Sequence, residues 1–106
     1  MAEKTPRRLQ LERSLAEDPT DRFLRYGLAL QCLREGDVEE GRRRLRELIA
    51  DHPDEVAAYQ QLGQSYRESG QLDEARAVLR QGVEKAEAKG DSHAAAEMRG
   101  LLDLLD

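Results

Sequence analysis

The stretch AYQQLGQSYRESGQLDEARAVLRQGVEKA, Ala58 to Ala86, decides the fold. Apolar and small residues recur through it at helical spacing, Gly70 interrupts them, and the periodicity resumes at once. A glycine where one helix must end in a left-handed residue, followed directly by a second periodic run, describes a helical hairpin. The same arrangement stands 34 residues earlier: Pro19 and Pro53, Leu28 and Leu62, Gly36 and Gly70, Glu40 and Glu74, and Leu45 and Leu79 are identical pairs at that offset. Val38 with Leu72 and Ile49 with Val83 keep their apolar character. So many matches at one spacing mark a tandem repeat.

Working outward, the first hairpin is expected over residues 21–35 and 38–50, and the second over 55–69 and 72–88. Thr20 and Asp54, each just after a proline, are the expected N-caps of the first helices, and Asp37 and Asp73 the openers of the second ones. Ahead of the repeats, TPRRLQLERSLAEDP offers Thr5 as a cap, Pro6 in the first turn, and Leu11 and Leu15 on one stripe, an isolated second half of a repeat. Behind them, Gly90 stops the last helix and Asp91 or Ser92 caps another, with Ala94, Met98, Leu101, Leu102 and Leu105 at helical spacing. This closing helix is expected to cover the apolar side of the last hairpin. The expectation is an all-α chain of six helices forming one domain, 1–106: an N-terminal helix at 6–17, repeat one at 20–53, repeat two at 54–88 and a capping helix at 91–105.

Composition agrees with that class and excludes others. At 106 residues the chain suits one continuous core, and 37% charged residues with 4% aromatics fit helices with long solvated faces. A net charge of -5 repels phosphate backbones and anionic lipid surfaces, so neither nucleic acid nor membrane is an expected partner. The N-terminal residues lack the apolar run of a signal peptide, and no stretch reaches membrane-spanning length. Cys32 is the single cysteine and has no internal disulfide partner, which suits the cytoplasm.

The pattern resembles the tetratricopeptide repeat, whose signature places an aromatic, a Leu-Gly pair and a Tyr on the first helix, then Ala, a large apolar residue and Pro. In repeat two these places hold Tyr59, Leu62, Gly63, Tyr66, Ala75 and Leu79; in repeat one they hold Arg25, Leu28, Ala29, Cys32, Gly41 and Leu45, followed by Pro53. Glu87 stands where repeat two would close with proline, so that helix is expected to run on toward Gly90. The resemblance implies hairpins stacked as a right-handed superhelix, with small residues where helix axes approach. It also implies a non-catalytic adaptor without cofactor, binding a protein or peptide in a concave groove.

Carried onto this sequence, the groove positions are Phe23, Tyr26, Leu30, Leu33 and Arg34 in repeat one and Ala57, Gln60, Gln64, Arg67 and Glu68 in repeat two. The segment RFLRYGLALQCL is apolar nearly all round, so Phe23, Tyr26, Leu30 and Leu33 form a second stripe besides the packing face of Leu28, Ala29 and Cys32. Such a helix needs two partners. Three readings of the second stripe stand: a terminal helix or a tight groove buries it, it anchors a bound peptide, or it joins two copies in a homodimer. Repeats resembling the chaperone-tail receptors use Lys and Asn at positions that here hold Tyr26 and Leu30, so no carboxylate clamp is expected.

The run RRRLR, Arg42 to Arg46, is hemmed by carboxylates, with Glu39 to Arg43 and Glu40 to Arg44 at helix-pair spacing, and reads as a solvated face rather than a phosphate site. His52 and His93 lie far apart without the spacing of metal ligands, and Cys32 falls at a packing position. No catalytic or metal-binding constellation is expected.

Overall fold

The computed structural model describes residues 3–105. Six helices occur among them and no strand: α1 (Pro6–Glu17), α2 (Arg22–Arg34), α3 (Val38–Asp51), α4 (Val56–Glu68), α5 (Leu72–Lys89) and α6 (Ser92–Leu105). The class is all-α, built of helical hairpins. The chain divides into two compact units, Met1–Leu48 and Ile49–Asp106. The division falls within α3 and not at the proline that closes repeat one.

The hairpin turns share one physical device. At the end of α2, Gly36 has φ +83°; its N–H donates to Leu33 O at 3.1 Å, and that of Asp37 donates to Cys32 O at 2.9 Å. At the end of α4, Gly70 has φ +75°, with Gly70 N–H on Arg67 O at 3.0 Å and Gln71 N–H on Tyr66 O at 2.9 Å. This is the Schellman pairing, which satisfies the last carbonyls and requires a left-handed residue. The end of α5 repeats it at Gly90 with Asp91 N–H on Ala86 O.

The helix starts depart from the sequence expectation. Asp21, not Thr20, caps α2, its Oδ1 accepting from Leu24 N at 2.9 Å. Asp54 does not cap α4; Glu55 precedes that helix and makes no side-chain cap bond. Both shifts have one cause. Asp21 N–H donates to Asp18 O and Glu55 N–H to His52 O, closing four-residue turns with Pro19 and Pro53 second in each. Proline favours that place, which leaves Thr20 and Asp54 inside the turn and delays the helix. Asp73 likewise lies in the first turn of α5 rather than capping it, since Gln71 holds the cap position.

In the first unit α1 packs on α2, with Leu11 Cδ2 ordinary contact distance from where a Gly27 Cβ would stand, 3.8 Å. Thr5 caps α1 as expected, its Oγ1 accepting from Arg8 N at 3.2 Å. The α2–α3 crossing is closer: a Cβ on Gly41 would fall 2.7 Å from Leu33 Cδ2 and 3.1 Å from Ala29 O. Leu28, Ala29, Cys32, Leu45 and Leu48 are buried.

In the second unit Val56, Tyr59, Leu79, Ala86, Ala95 and Met98 form one buried cluster. Ala94, Leu101, Leu102 and Leu105 pack against it, so α6 closes this unit with the residues its periodicity singles out. Tyr59 places its ring in the cluster and donates its hydroxyl hydrogen to Pro53 O at 2.9 Å. Helix α5 runs to Lys89, past Glu87, which pairs with Arg99 of α6.

Candidate protein-binding surface

The groove positions assigned to repeat one lie along α2, and the structure gives them different surroundings. Phe23 is 83% exposed, the least covered large apolar side chain among the described residues. Tyr26 and Leu30 are half-buried and Arg34 is exposed. Leu33 is half-buried and lies over Gly41, so it serves the α2–α3 crossing.

The repeat-two positions are polar and partly engaged. Gln60 donates from Nε2 to Glu97 Oε2 of α6 at 2.9 Å, and Gln64 from Nε2 to Glu68 Oε1 at 3.4 Å. Ala57 and Glu68 are exposed, and Arg67 is half-buried in the last turn of α4. The two sets differ in kind: an apolar stripe on α2, hydrogen-bonded amides on α4.

One cluster escaped the sequence reading. Arg8 is the only buried residue of α1, 4% exposed, and its guanidinium faces the end of α2: Nη2 bonds Asp37 Oδ2 at 3.0 Å and Nη1 lies 3.5 Å from Glu35 Oε1. Thr5 Oγ1 donates to the Glu35 carboxylate, and Gln31 Nε2 donates to the same oxygen at 2.9 Å. The hydrogen bond from Thr5, then that from Gln31, hold the Glu35 carboxyl below the usual carboxylate range despite burial that opposes them. Arg8 thus fastens α1 to the C-terminal end of α2, where carbonyl dipoles favour a cation. A signal for it existed. Arg8, Arg42 and Arg76 stand at successive 34-residue offsets; Arg42 is also 4% exposed, and Arg76 Nη2 donates to Leu105 O at the end of α6, 2.9 Å away.

That burial corrects the reading of RRRLR as wholly solvated. Arg44 pairs with Glu40 at 2.8 Å, as the spacing predicts, whereas Arg43 takes Glu40 at 2.8 Å and Glu47 at 2.7 Å in place of the expected Glu39. Arg42 instead sits inside, with Glu39 at 3.3 Å.

No chemistry converges on these residues. Burial pushes the Cys32 thiol above its ordinary range, the opposite of an activated nucleophile. Among the described residues no three His, Cys, Asp or Glu side chains are placed to hold a metal ion, and no helix is long and apolar enough to cross a membrane.

Helical hairpins repeated at a 34-residue spacing, with packing glycines at the crossings, define the class of helical-repeat proteins. The tetratricopeptide repeat family matches residues 33–99, and the chain belongs to that family. It is 33% identical over 96 residues to the TPR repeat-containing protein PA0015 of Pseudomonas aeruginosa, covering 91% of each chain. It is 30% identical over 69 residues to the mouse interferon-induced protein with tetratricopeptide repeats 3, but spans only 17% of that protein. Among solved structures, a tetratricopeptide repeat domain protein from Salinibacter ruber superposes with a TM-score of 0.80 at 29% identity, over 84% of this chain and 90% of that one. A Bordetella parapertussis protein superposes with a TM-score of 0.84 at 22% identity, over 96% and 89%, a likeness of fold. Repeats of this family are in general non-catalytic scaffolds for protein–protein interaction.

Proposed function

We propose that this chain is a non-catalytic adaptor of the cytoplasm that holds a protein or peptide partner at the groove positions of α2, along its apolar stripe. The observation that carries the reading is Phe23, an aromatic ring left 83% exposed beside half-buried Tyr26 and Leu30. Exposing a phenylalanine forgoes roughly 1.5–3 kcal/mol of burial, which a partner that covers the ring recovers, and aromatic anchors fully desolvated in an interface dominate binding energy. The cytoplasmic placement is supported by the lone cysteine, which has no disulfide partner. The groove positions of α4 are polar and carry no anchor of this kind, Gln60 already sharing its amide with α6.

The test begins with peptides selected on the intact chain and titrated calorimetrically against the chain and Phe23→Ser. Binding lost in a variant that melts normally supports the reading, whereas equal binding moves the site away from α2. Light scattering over a wide concentration range separates the adaptor from a homodimer on the same stripe. A dimer dispersed by Phe23→Ser would replace the adaptor reading with self-assembly.

A further inference from the structure

Every helix except α2 contains an Asp or Glu; α2, from Arg22 to Arg34, has three arginines and no acid, in a chain of net charge -5 with 22 acidic residues. The carboxylates that bracket α2 are both occupied. Asp21 accepts from Leu24 N, and Glu35 is taken by Thr5, Gln31 and Arg8. Arg34 is exposed and makes no hydrogen bond or ion pair among the described residues. Phe23, Leu30 and Arg34 are spaced i, i+7 and i+11. At about 100° per residue they fall within roughly 40° of one another, on a stripe about 16 Å long. An apolar surface ending in an unanswered guanidinium is complementary to an apolar segment that carries a carboxylate.

We infer that the stripe of α2 receives an acidic amphipathic segment of a partner protein, its apolar side chains on Phe23, Tyr26 and Leu30 and a carboxylate on Arg34. This rests on the adaptor reading and adds the partner's chemistry to it. A nucleic acid fits less well. Affinity for a phosphate backbone needs several cations working together against an otherwise acidic field, and of the three arginines of α2 only Arg34 is unpaired among the described residues. The contact differs from capture of a chain terminus, because the side-chain carboxylate and the apolar residues act together and no free C-terminus is required.

The test uses a displayed library of random peptides selected on the intact chain, then titration of individual peptides against the chain, Arg34→Glu and Phe23→Ser. Peptides combining apolar residues with acids are expected. Arg34→Glu should weaken them about tenfold, a change worth roughly 1.4 kcal/mol, and replacing the peptide's acid by lysine should restore binding to that variant. Arg34 is exposed, so the variant should melt as the parent does, and rescue by the swapped peptide shows the variant is folded. Peptides that need Phe23 but show no acidic preference and ignore Arg34→Glu overturn the inference and leave the adaptor reading intact. If no selected peptide depends on Phe23, both fall. A random single-stranded oligonucleotide that binds, and is lost with Arg34→Glu, overturns the inference in favour of a nucleic-acid surface.

Discussion

Gly63 lies directly beneath Leu79: a Cβ built on the glycine would stand 2.6 Å from both Cγ and Cδ2 of the leucine. Leu79 is fully buried in the cluster with Tyr59 and Met98, so it has no free space into which to retreat. The α4–α5 crossing therefore depends on one missing methyl group. Gly63→Ala should gain up to about 1 kcal/mol in helix propensity but incur about 1–3 kcal/mol of overpacking, for a net loss of stability. Gly100→Ala provides the contrast, because nothing lies within 4 Å of its added carbon. It should raise the melting temperature where Gly63→Ala lowers it, as circular dichroism melts will read directly.

Acid should loosen the attachment of α1. Glu35 titrates below the ordinary carboxylate value, mainly through the Thr5 hydrogen bond and then that of Gln31. A carboxyl depressed in the folded state contributes stability that is complete above its unfolded value, about 4.3, and disappears as pH falls through the lower folded value. The denaturation midpoint of the chain should therefore drop relative to that of Glu35→Gln as pH falls below about 4.3. Parallel urea titrations at several pH values check this; a constant difference between the two proteins across the range would remove Glu35 from the account.

The hairpins were legible because their signals are local and repeated. Gly36, Gly70 and Gly90 all adopt the positive φ that their places demand, and the small residues Gly41, Gly63 and Ala75 sit where helices meet or are wholly buried. The helix starts were misplaced by one residue because a proline turn and an N-cap draw on the same residue types, and only the hydrogen bonds of Asp21 and Glu55 separate them. The burial of Arg8 was hard to read for a different reason, although its 34-residue spacing with Arg42 and Arg76 marked the position. Arginine is almost never fully buried unless paired, and its partners Glu35 and Asp37 lie nearly a repeat away. On the candidate surface, periodicity grouped Leu33 with Phe23, Tyr26 and Leu30, yet which side of α2 receives α3 is a tertiary fact, and Leu33 lies over Gly41.

Met98 tests whether α6 is integral to the second unit. Its Sδ and Cε lie 2.5 and 3.2 Å from the position of a Gly82 Cβ, it is fully buried, and Ala95 one turn earlier is buried beside it. Met98→Ala leaves a cavity against Tyr59 and Leu79 and should cost about 2–5 kcal/mol. Removing residues 91–106 should do more, uncovering Tyr59 and Ala86 together. A truncated chain that melts unchanged would mean the cluster is stable without its closing helix.

Phe23 and Leu28 share α2 and are separated by five positions, yet they should answer mutation in opposite ways. Leu28 is 1% exposed and belongs to the core, so Leu28→Ala should lose about 2–5 kcal/mol. Phe23 meets mostly solvent, and Phe23→Ser should change stability by no more than about 0.5 kcal/mol in either direction. Guanidinium denaturation of the two variants side by side decides whether the stripe is packing or surface. A large loss in Phe23→Ser would place the ring in a contact that stabilises the fold and would withdraw it as a binding anchor. A small one leaves the ring on the surface with no part in folding, as a binding anchor requires.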